Sequence, residues 1–586
     1  LRPEGLAPET GAPGKLALAV LVTATLILVA AGGYFALSRS GSGALDRDTV
    51  VVIPFDNETG DSVLNPVGRM AAEWITEGLA RTGLVKVVPS AAALLSWEAK
   101  QAGPAAGQAP RQIRAVAEEI RAGTVIWGAY YLQADSIRFQ AQITDAVQGR
   151  LLSAVEPVAA PSEETMNAIE VLRQRVAGAL ANSLNPRLGE WAALQAPPPS
   201  YEAYREYAAA LEAFMRVDYW GAAEHAHRAV SFDSTYAPAL IFAALGHLNI
   251  GEYAEADSLA RLAEQHGERL GPIDEYQLQW LRAERDGDRQ AAYRAIRGWM
   301  EIAPSGVSIY SAGHEARKLN RPRETIEILS DLDPERADLR GWYRYWAILT
   351  EAHHMVGDHR EELKAAQRGR QQYPGLLSTL WYEVQALAAL GRVDEVNERL
   401  DESLALPPQR GWTPGWVMST AAMELGAHGY RDAARQIIDR AVRWYRARPS
   451  GEASSESHRA GLARALYLAE HWEESQALTE DLAAEFPENW SYRAALGLLA
   501  ARQGDGEEAL RVSEWLAGLS LRYLGGSHTY DRACIASLLG ERERAVTLLR
   551  ETFAQGTSYG TWVHRDPDLE PLRDYPPFQD LLRPKG

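Results

Sequence analysis

A repeat of 34 residues constrains this chain more than any other feature. The pattern Tyr219-x-x-Ala222, followed by Ala229, returns as Gly251-x-Tyr253-x-x-Ala256, followed by Ala263, an offset of 34 residues. That period belongs to helix-turn-helix units. Small alanines at fixed places let two antiparallel helices approach closely, and the aromatic residue at the start of the second helix fills the space towards its neighbour. One such pair leaves an apolar face uncovered, so copies must stack, and the predicted architecture is mainly α, a solenoid of helix pairs.

The phase continues through Gly287-x-Arg289-x-x-Ala292 and through weaker copies at Gly357 and Gly391, again 34 residues apart. Trp472-x-x-Ser475 and Gly506-x-x-Ala509 are also 34 apart, and Gly540-x-Arg542-x-x-Ala545 closes the series. Pro304, Pro374 and Pro487 follow second helices, where a residue without an N–H cannot extend the helix. Over most of Ser200–Gly586 these residues resemble the tetratricopeptide repeat family. The period implies about ten helix pairs. Ser305–Pro334 and Gln409–Arg448 carry the pattern poorly, so irregular pairs are expected there. The array is assigned to residues 200–565. Asp566-Pro567-Asp568-Leu569 through Phe578 and Leu581 resembles the segment that closes such arrays, and 566–586 is expected to cap the apolar face of the last pair.

At 586 residues the chain is too long for one core, so further units precede the array. It opens on Leu1 and not on Met, and a segment of a longer protein is expected. Residues 1–15 read as a linker. Leu16–Leu37 is an uncharged run between Lys15 and Arg39; its roughly 22 residues would span about 33 Å as a helix, enough for one transmembrane helix. A cleaved signal peptide fits less well, because its leader is basic and Glu4 and Glu9 stand here. Arg2 and Lys15 before the run are matched by Arg39 and Arg47 after it, so charge does not set the orientation. Residues 38–46 form a Ser/Gly linker.

A small α/β domain is assigned to 47–160, with strands over Thr49–Phe55, Val85–Val88, Thr124–Tyr131, Ile137–Thr144 and Arg150–Val155 and helices over Leu64–Arg81 and Pro110–Arg121. Residues 161–199 add an amphipathic helix, with Met166, Ile169, Leu172, Val176, Leu180 and Leu184 on one face, and the stiff joint Pro197–Pro199. Ile53-Pro54-Phe55-Asp56-Asn57-x-Thr59-Gly60-Asp61, Gly123–Gly128 and Gln142-Ile143-Thr144-Asp145-Ala146-x-x-Gly149 resemble the amino-terminal domain of the TolB-like family. That resemblance implies a layout in which a cytoplasmic kinase, cyclase or winged-helix domain precedes the membrane helix. The wording is most similar to the carboxyl-terminal part of bacterial serine/threonine kinases. It implies a single-pass protein of the inner membrane whose residues after Arg39 lie in the periplasm.

The net charge of −18 argues against a nucleic-acid partner, which needs clustered Lys and Arg. It favours a basic protein or peptide. Cys534 is the sole cysteine and is expected to be buried in a helix. His564-Arg565-Asp566 imitates a kinase catalytic loop, but Pro571 stands where a metal-binding Asn would be needed. Gly11-x-x-Gly14-Lys15 lacks the hydroxyl residue of a phosphate loop. His353, His354 and His359 around Gly357 suggest a metal site in principle. No carboxylate has the spacing of a zinc-hydrolase helix, and they read as surface or groove histidines, so no metal or cofactor is expected.

Arg340, Trp342, Tyr343, Arg344, Tyr345 and His354 are the candidate peptide-binding residues. Trp346 occupies a core position of its repeat; its aromatic companions either pack on the preceding pair or form an Arg/aromatic anchor for an extended peptide. The expected function is a membrane-anchored interaction scaffold or sensory module, without enzymatic activity of its own. A free-standing envelope assembly scaffold, or an enzyme with a pocket in the α/β domain, are the alternatives.

Overall fold

The computed structural model describes residues 45–101, 109–188, 194–335, 338–409, 411–520 and 523–585. The transmembrane assignment at Leu16–Leu37 lies outside them, as does the linker at 1–15. Among the described residues no helix is long and apolar enough to cross a membrane. Two compact units are present. One comprises the described residues up to Ala209 with His227–Tyr236; the other comprises Ala210–Ala226 and the residues from Ala237 onwards.

In the first unit the strands are β1 (Asp46–Val52), β2 (Asp56–Asn57), β3 (Lys86–Val87), β4 (Ala122–Gln133), β5 (Ser136–Asp145) and β6 (Arg150–Pro161). The sheet runs β3-β1-β4-β5-β6, with β2 also on β4. β3, β1 and β4 are parallel, while β4, β5 and β6 form an antiparallel meander. Helices α1 (Asn65–Thr82), α2 (Ser90–Gln101), α3 (Ala109–Ile120) and α4 (Thr165–Leu184) cover both faces. Val50 and Val52 point into a core with Ile75 of α1 and Ile169 and Leu172 of α4, while Val51 and Ile53 meet Ala93 of α2 and Val116 of α3. Burial on two faces explains the continuous apolar run at the first strand. Helix α2 is absent from the sequence reading because Ser90–Gln101 has little amphipathic contrast to announce it.

The motifs that carry the α/β resemblance are turn and close-packing chemistry. The Asn57 side-chain amide donates to the Asp61 carbonyl at 2.8 Å and its carbonyl accepts from the Thr59 N–H at 3.0 Å, while Asp61 Oδ1 accepts from the Val63 N–H. Asp145 accepts from the Val147 and Gln148 N–H groups at the β5–β6 turn. A Cβ at Gly128 would lie 2.0 Å from the Gln140 carbonyl oxygen, so only glycine lets β5 approach there.

Ten helix pairs follow in sequence. They are Tyr201–Met215 with Tyr219–Phe232, Ala237–Ile250 with Tyr253–Gln265, Pro272–Asp286 with Arg289–Ile302, and Gly306–Lys318 with Pro322–Ser330. Next come Arg344–Met355 with His359–Gln372, Leu377–Ala389 with Val393–Ser403, and Pro414–Ala427 with Arg431–Arg446. The last three are Glu456–Leu468 with Trp472–Glu485, Trp490–Gln503 with Gly506–Ala517, and Ser527–Leu538 with Arg542–Ala554. The recurrent alanines are buried near the start of second helices: Ala222, Ala292, Ala509 and Ala545 are fully covered. Between the two helices of seven pairs stands a glycine with φ from +69° to +87°, ending the first helix in the left-handed conformation. Val217, Asn320 and Glu470 take that conformation in the first, fourth and eighth pairs without glycine. Asn320 is why the fourth pair, in Ser305–Pro334, does not show the pattern; in the seventh, Tyr430 follows Gly429 directly and shifts the phase by one.

An elongated array coupled only between neighbours is the expectation from the repeat, and the second unit departs from it. Its tenth pair returns to the second and third: Arg289 Nε donates to the Gly556 carbonyl at 2.5 Å, and the Tyr523 hydroxyl donates to Asp257 Oδ2 at 3.1 Å. Gly287 and Gly556 pack backbone to backbone, where a Cβ on Gly556 would come 2.6 Å from the Gly287 Cα. The segment after residue 556 then runs along the first helices, which touch one another from pair to pair and form the inner side of the unit.

Candidate functional site

Few of the predicted anchor residues offer free surface. Trp342 is buried against Phe214, the rings stacked at 5.5 Å, and meets the Tyr310 ring edge-on at 5.9 Å. Tyr345 is buried and its hydroxyl donates to the Leu329 carbonyl at 2.9 Å. Buried Tyr343 packs edge-on against Tyr373. Trp346 Nε1 donates to Gln372. These rings are consecutive in sequence, yet only part of one helix turn separates their faces, so they wedge between the first, fourth and fifth pairs. Arg340 precedes the helix.

Arg344 differs from them. Its half-buried guanidinium sits among the phenols of Tyr219, Tyr310, Tyr343 and Tyr382, and burial pushes the Tyr219, Tyr310 and Tyr382 hydroxyls above their ordinary range. Among the described residues it has no carboxylate ion pair.

The C-terminal segment occupies the inner side beyond this point. The Tyr559 N–H donates to the Lys318 carbonyl at 3.1 Å, and Arg317 Nη1 donates to the Tyr559 carbonyl at 2.8 Å. Asp568, 1 % exposed, accepts from the Tyr467 hydroxyl at 2.5 Å and from Arg502 Nη2 at 2.6 Å. The Tyr530 hydroxyl donates to Asp566 Oδ2 at 2.7 Å, and the Asn320 side-chain amide donates to the Arg583 carbonyl at 2.9 Å. Leu569, Leu572 and Phe578 join the core of the last pairs, each side chain contributing about 1.5–3 kcal/mol by burial. The segment therefore both covers the final pair and reaches back to the fourth.

Where this segment crosses the fifth to seventh pairs, titratable groups converge. His354 Nδ1 lies 3.0 Å from Glu362 Oε2, and His359 Nδ1 lies 2.8 Å from the same oxygen. Gln385 Nε2 donates to Glu362 Oε1 at 3.1 Å. On the other side of the ring, His354 Nε2 lies 3.3 Å from Glu424 Oε1, which is 3.1 Å from His428 Nε2. His564 Nε2 stands 3.3 Å from His428 Nε2. Arg565 Nη1 approaches Glu424 Oε2 at 3.6 Å, donates to Gln385 Oε1 at 3.2 Å, and lies over the Trp381 ring. Burial alone would push the His354 imidazole down, but the Glu362 and Glu424 carboxylates outweigh it and raise it to about 9. Burial would raise Glu424, and His354, His428 and Arg565 instead hold it at about 2. Burial, with His354 and His428 adding to it, pushes His564 down to about 4.

Of the three histidines singled out around Gly357, the structure brings His354 and His359 together and leaves His353 apart. Glu362, Glu424, His428 and His564 complete the group from 8, 70, 74 and 210 residues beyond His354. Glu362 is three residues beyond His359, one helical turn, and was legible; the other three are joined only by stacking and by the returning C-terminal segment. His354 with Glu424, His428 and His564, and His354 with His359 and Glu362, are the two groups whose ligand atoms lie close enough to share a cation.

No protein-family model matches this chain, and no curated protein matches it. Among solved structures it is similar to a tetratricopeptide repeat protein from Parabacteroides merdae, at 15% identity over 51% of this chain and 98% of that one, with a TM-score of 0.27. It is similar to yeast Tom70 at 13% identity, over 59% and 84%, with a TM-score of 0.29. The Cut9–Hcn1 hetero-tetramer of the APC/C is similar at 11% identity, over 64% and 85%, with a TM-score of 0.23.

Proposed function

We propose that the helix array is a binding scaffold for a polypeptide segment, and that this chain contributes recognition and not turnover. One observation carries the reading: the inner side already accommodates a polypeptide, the chain's own residues 557–585, through backbone and side-chain hydrogen bonds from the fourth to the tenth pair. An inner face of stacked first helices suits an extended ligand. Arg344, with four phenols around it and no carboxylate partner among the described residues, is the anchor point for an incoming acidic group. This replaces the expectation of a basic partner at this surface, because the local cation outweighs the net charge of −18 there.

The finer reading is a sensory or docking module held at the inner membrane by Leu16–Leu37, with the remainder in the periplasm and a serine/threonine kinase preceding it. It rests on the uncharged run and on the resemblance of the α/β motifs. The test is cross-linking and recovery of partners from the native envelope with the full chain, comparing wild type with Arg344→Glu. Loss of a specific protein partner in the variant is expected. Recovery of the same partners by both at equal salt sinks the anchor assignment, and recovery of none by wild type sinks the scaffold.

A further inference from the structure

We propose that His354, His428 and His564, each through Nε2, and Glu424 through Oε1 form a four-ligand site for a divalent transition-metal ion of zinc type. The ion would clasp the C-terminal segment to the fifth and seventh pairs. A tetrahedral site with metal–ligand bonds of about 2.0–2.1 Å has edges of about 3.3–3.4 Å between its ligand atoms. Three edges here measure 3.3, 3.1 and 3.3 Å, and all four ligand atoms lie within 4.8 Å of one another.

The hydrogen bonding points the same way. His354 uses Nδ1 towards Glu362, which leaves Nε2 as a lone pair facing a carboxylate oxygen, and that buried nitrogen has no hydrogen-bond partner. His428 and His564 face each other nitrogen to nitrogen. A proton relieves one such contact at a time, whereas one cation relieves all of them. Glu362, fixed by His359 and by the Gln385 amide, orients His354 in the way an outer carboxylate orients a metal-bound imidazole. The group His354, His359 and Glu362 is accounted for by hydrogen bonds of 2.8–3.1 Å and supports the site from outside. Arg565 engages the other oxygen of Glu424 and leaves Oε1 to the histidines. Three imidazole nitrogens with one carboxylate select a zinc-like ion over magnesium or calcium, and four protein ligands define a structural and not a catalytic site. His564 is exposed, so an ion has access from solvent. The proposal stands whether or not the array binds a peptide.

The test uses the full chain, purified without a polyhistidine tag and freed of metal, titrated with Zn²⁺ and with Co²⁺. One tight equivalent, with Co²⁺ absorption of tetrahedral intensity, is expected. His564→Ala, at an exposed position, should weaken binding at least a hundredfold with the circular dichroism unchanged, and Glu362→Gln by about 10–100-fold. His471→Ala, at a distant exposed histidine, should leave it unchanged. Absence of a stoichiometric site, a Co²⁺ spectrum of octahedral weakness, or equal affinity in His564→Ala overturns the assignment. Because the readout is metal uptake and not partner capture, its failure is distinct from failure of the scaffold reading.

Discussion

The α/β unit and the helix array bury different chemistry. Among the described residues the most polar buried groups of the α/β unit are neutral: Thr49, Thr76, Ser96, Gln112, Thr124, Ser153 and Asn182. The array buries Glu315, Arg317, Lys318, His354, Glu362, Glu383, Glu424 and Asp568. Taking a charge out of water costs several kcal/mol, so a stack of apolar faces alone has no need of them. Many lie on first helices or on the C-terminal segment that crosses those helices. A neutral core holds one fold together, whereas a buried ion network specifies which segment lies where, since a misplaced partner leaves a charge uncompensated.

The comparison is broken most severely at Asp568. Asp568→Ala leaves Arg502 and the Tyr467 hydroxyl facing nothing, and removing one side of a buried ion pair costs about 3–5 kcal/mol. The C-terminal segment should detach, read as new protease cleavage after Gln555 and a lower urea midpoint. A resistant segment and an unmoved midpoint would show that buried charge does not place it. The matching cut in the α/β unit is Leu172→Ala. At a fully buried apolar position it should cost about 2–4 kcal/mol by cavity formation and leave cleavage after Gln555 unchanged.

How much of this was legible in the sequence follows from the range of each interaction. The second-helix alanines and turn glycines are local requirements, so the repeat phase places the starts of Tyr253–Gln265, Arg289–Ile302 and Arg542–Ala554 to the residue. The strands likewise follow from β-branched runs, within a few residues at their ends. The fourth and seventh pairs were obscured because Asn320 supplies a left-handed turn usually given to glycine and because Tyr430 shifts the phase. Trp342, Tyr343 and Tyr345 were legible as a cluster, but which of them pack depends on Phe214, Tyr310 and Tyr373 from other pairs. The meeting of His354 with His564 requires the array to close on itself, and no local pattern encodes that.

A smaller effect separates helix stacking from inner-face chemistry. Ala256 is buried at the start of the second pair's second helix, and Ala256→Leu should wedge that pair and cost about 1–3 kcal/mol by overpacking. Chemical denaturation measures it. An unchanged midpoint means that the pair can open without loss and that the small residue there is not a packing requirement.

The smallest effect concerns pH, and it comes from the array's acids. Burial, with the Asp566 carboxylate adding to it and Arg464 opposing, raises Asp531 from an ordinary value of 3.8 to about 7. The folded state thus holds a proton that the unfolded chain releases near pH 4, so between about pH 4 and 7 the folded state binds more protons and stability falls as pH rises. The stabilising share is fully present below about pH 4, lost by about pH 7 and flat above. A shift of three units corresponds to about 4 kcal/mol, and because part of the Asp531 side chain stays in contact with water, on the order of 1–2 kcal/mol is expected. Asp531→Asn keeps the shape without the charge, and it should flatten this part of the stability profile and raise the denaturation midpoint at pH 8 more than at pH 4.5. The α/β unit has a weaker counterpart in Asp56, which burial also raises, so a profile that stays unchanged in Asp531→Asn would move the origin of the slope there and erase the electrostatic contrast between the two regions.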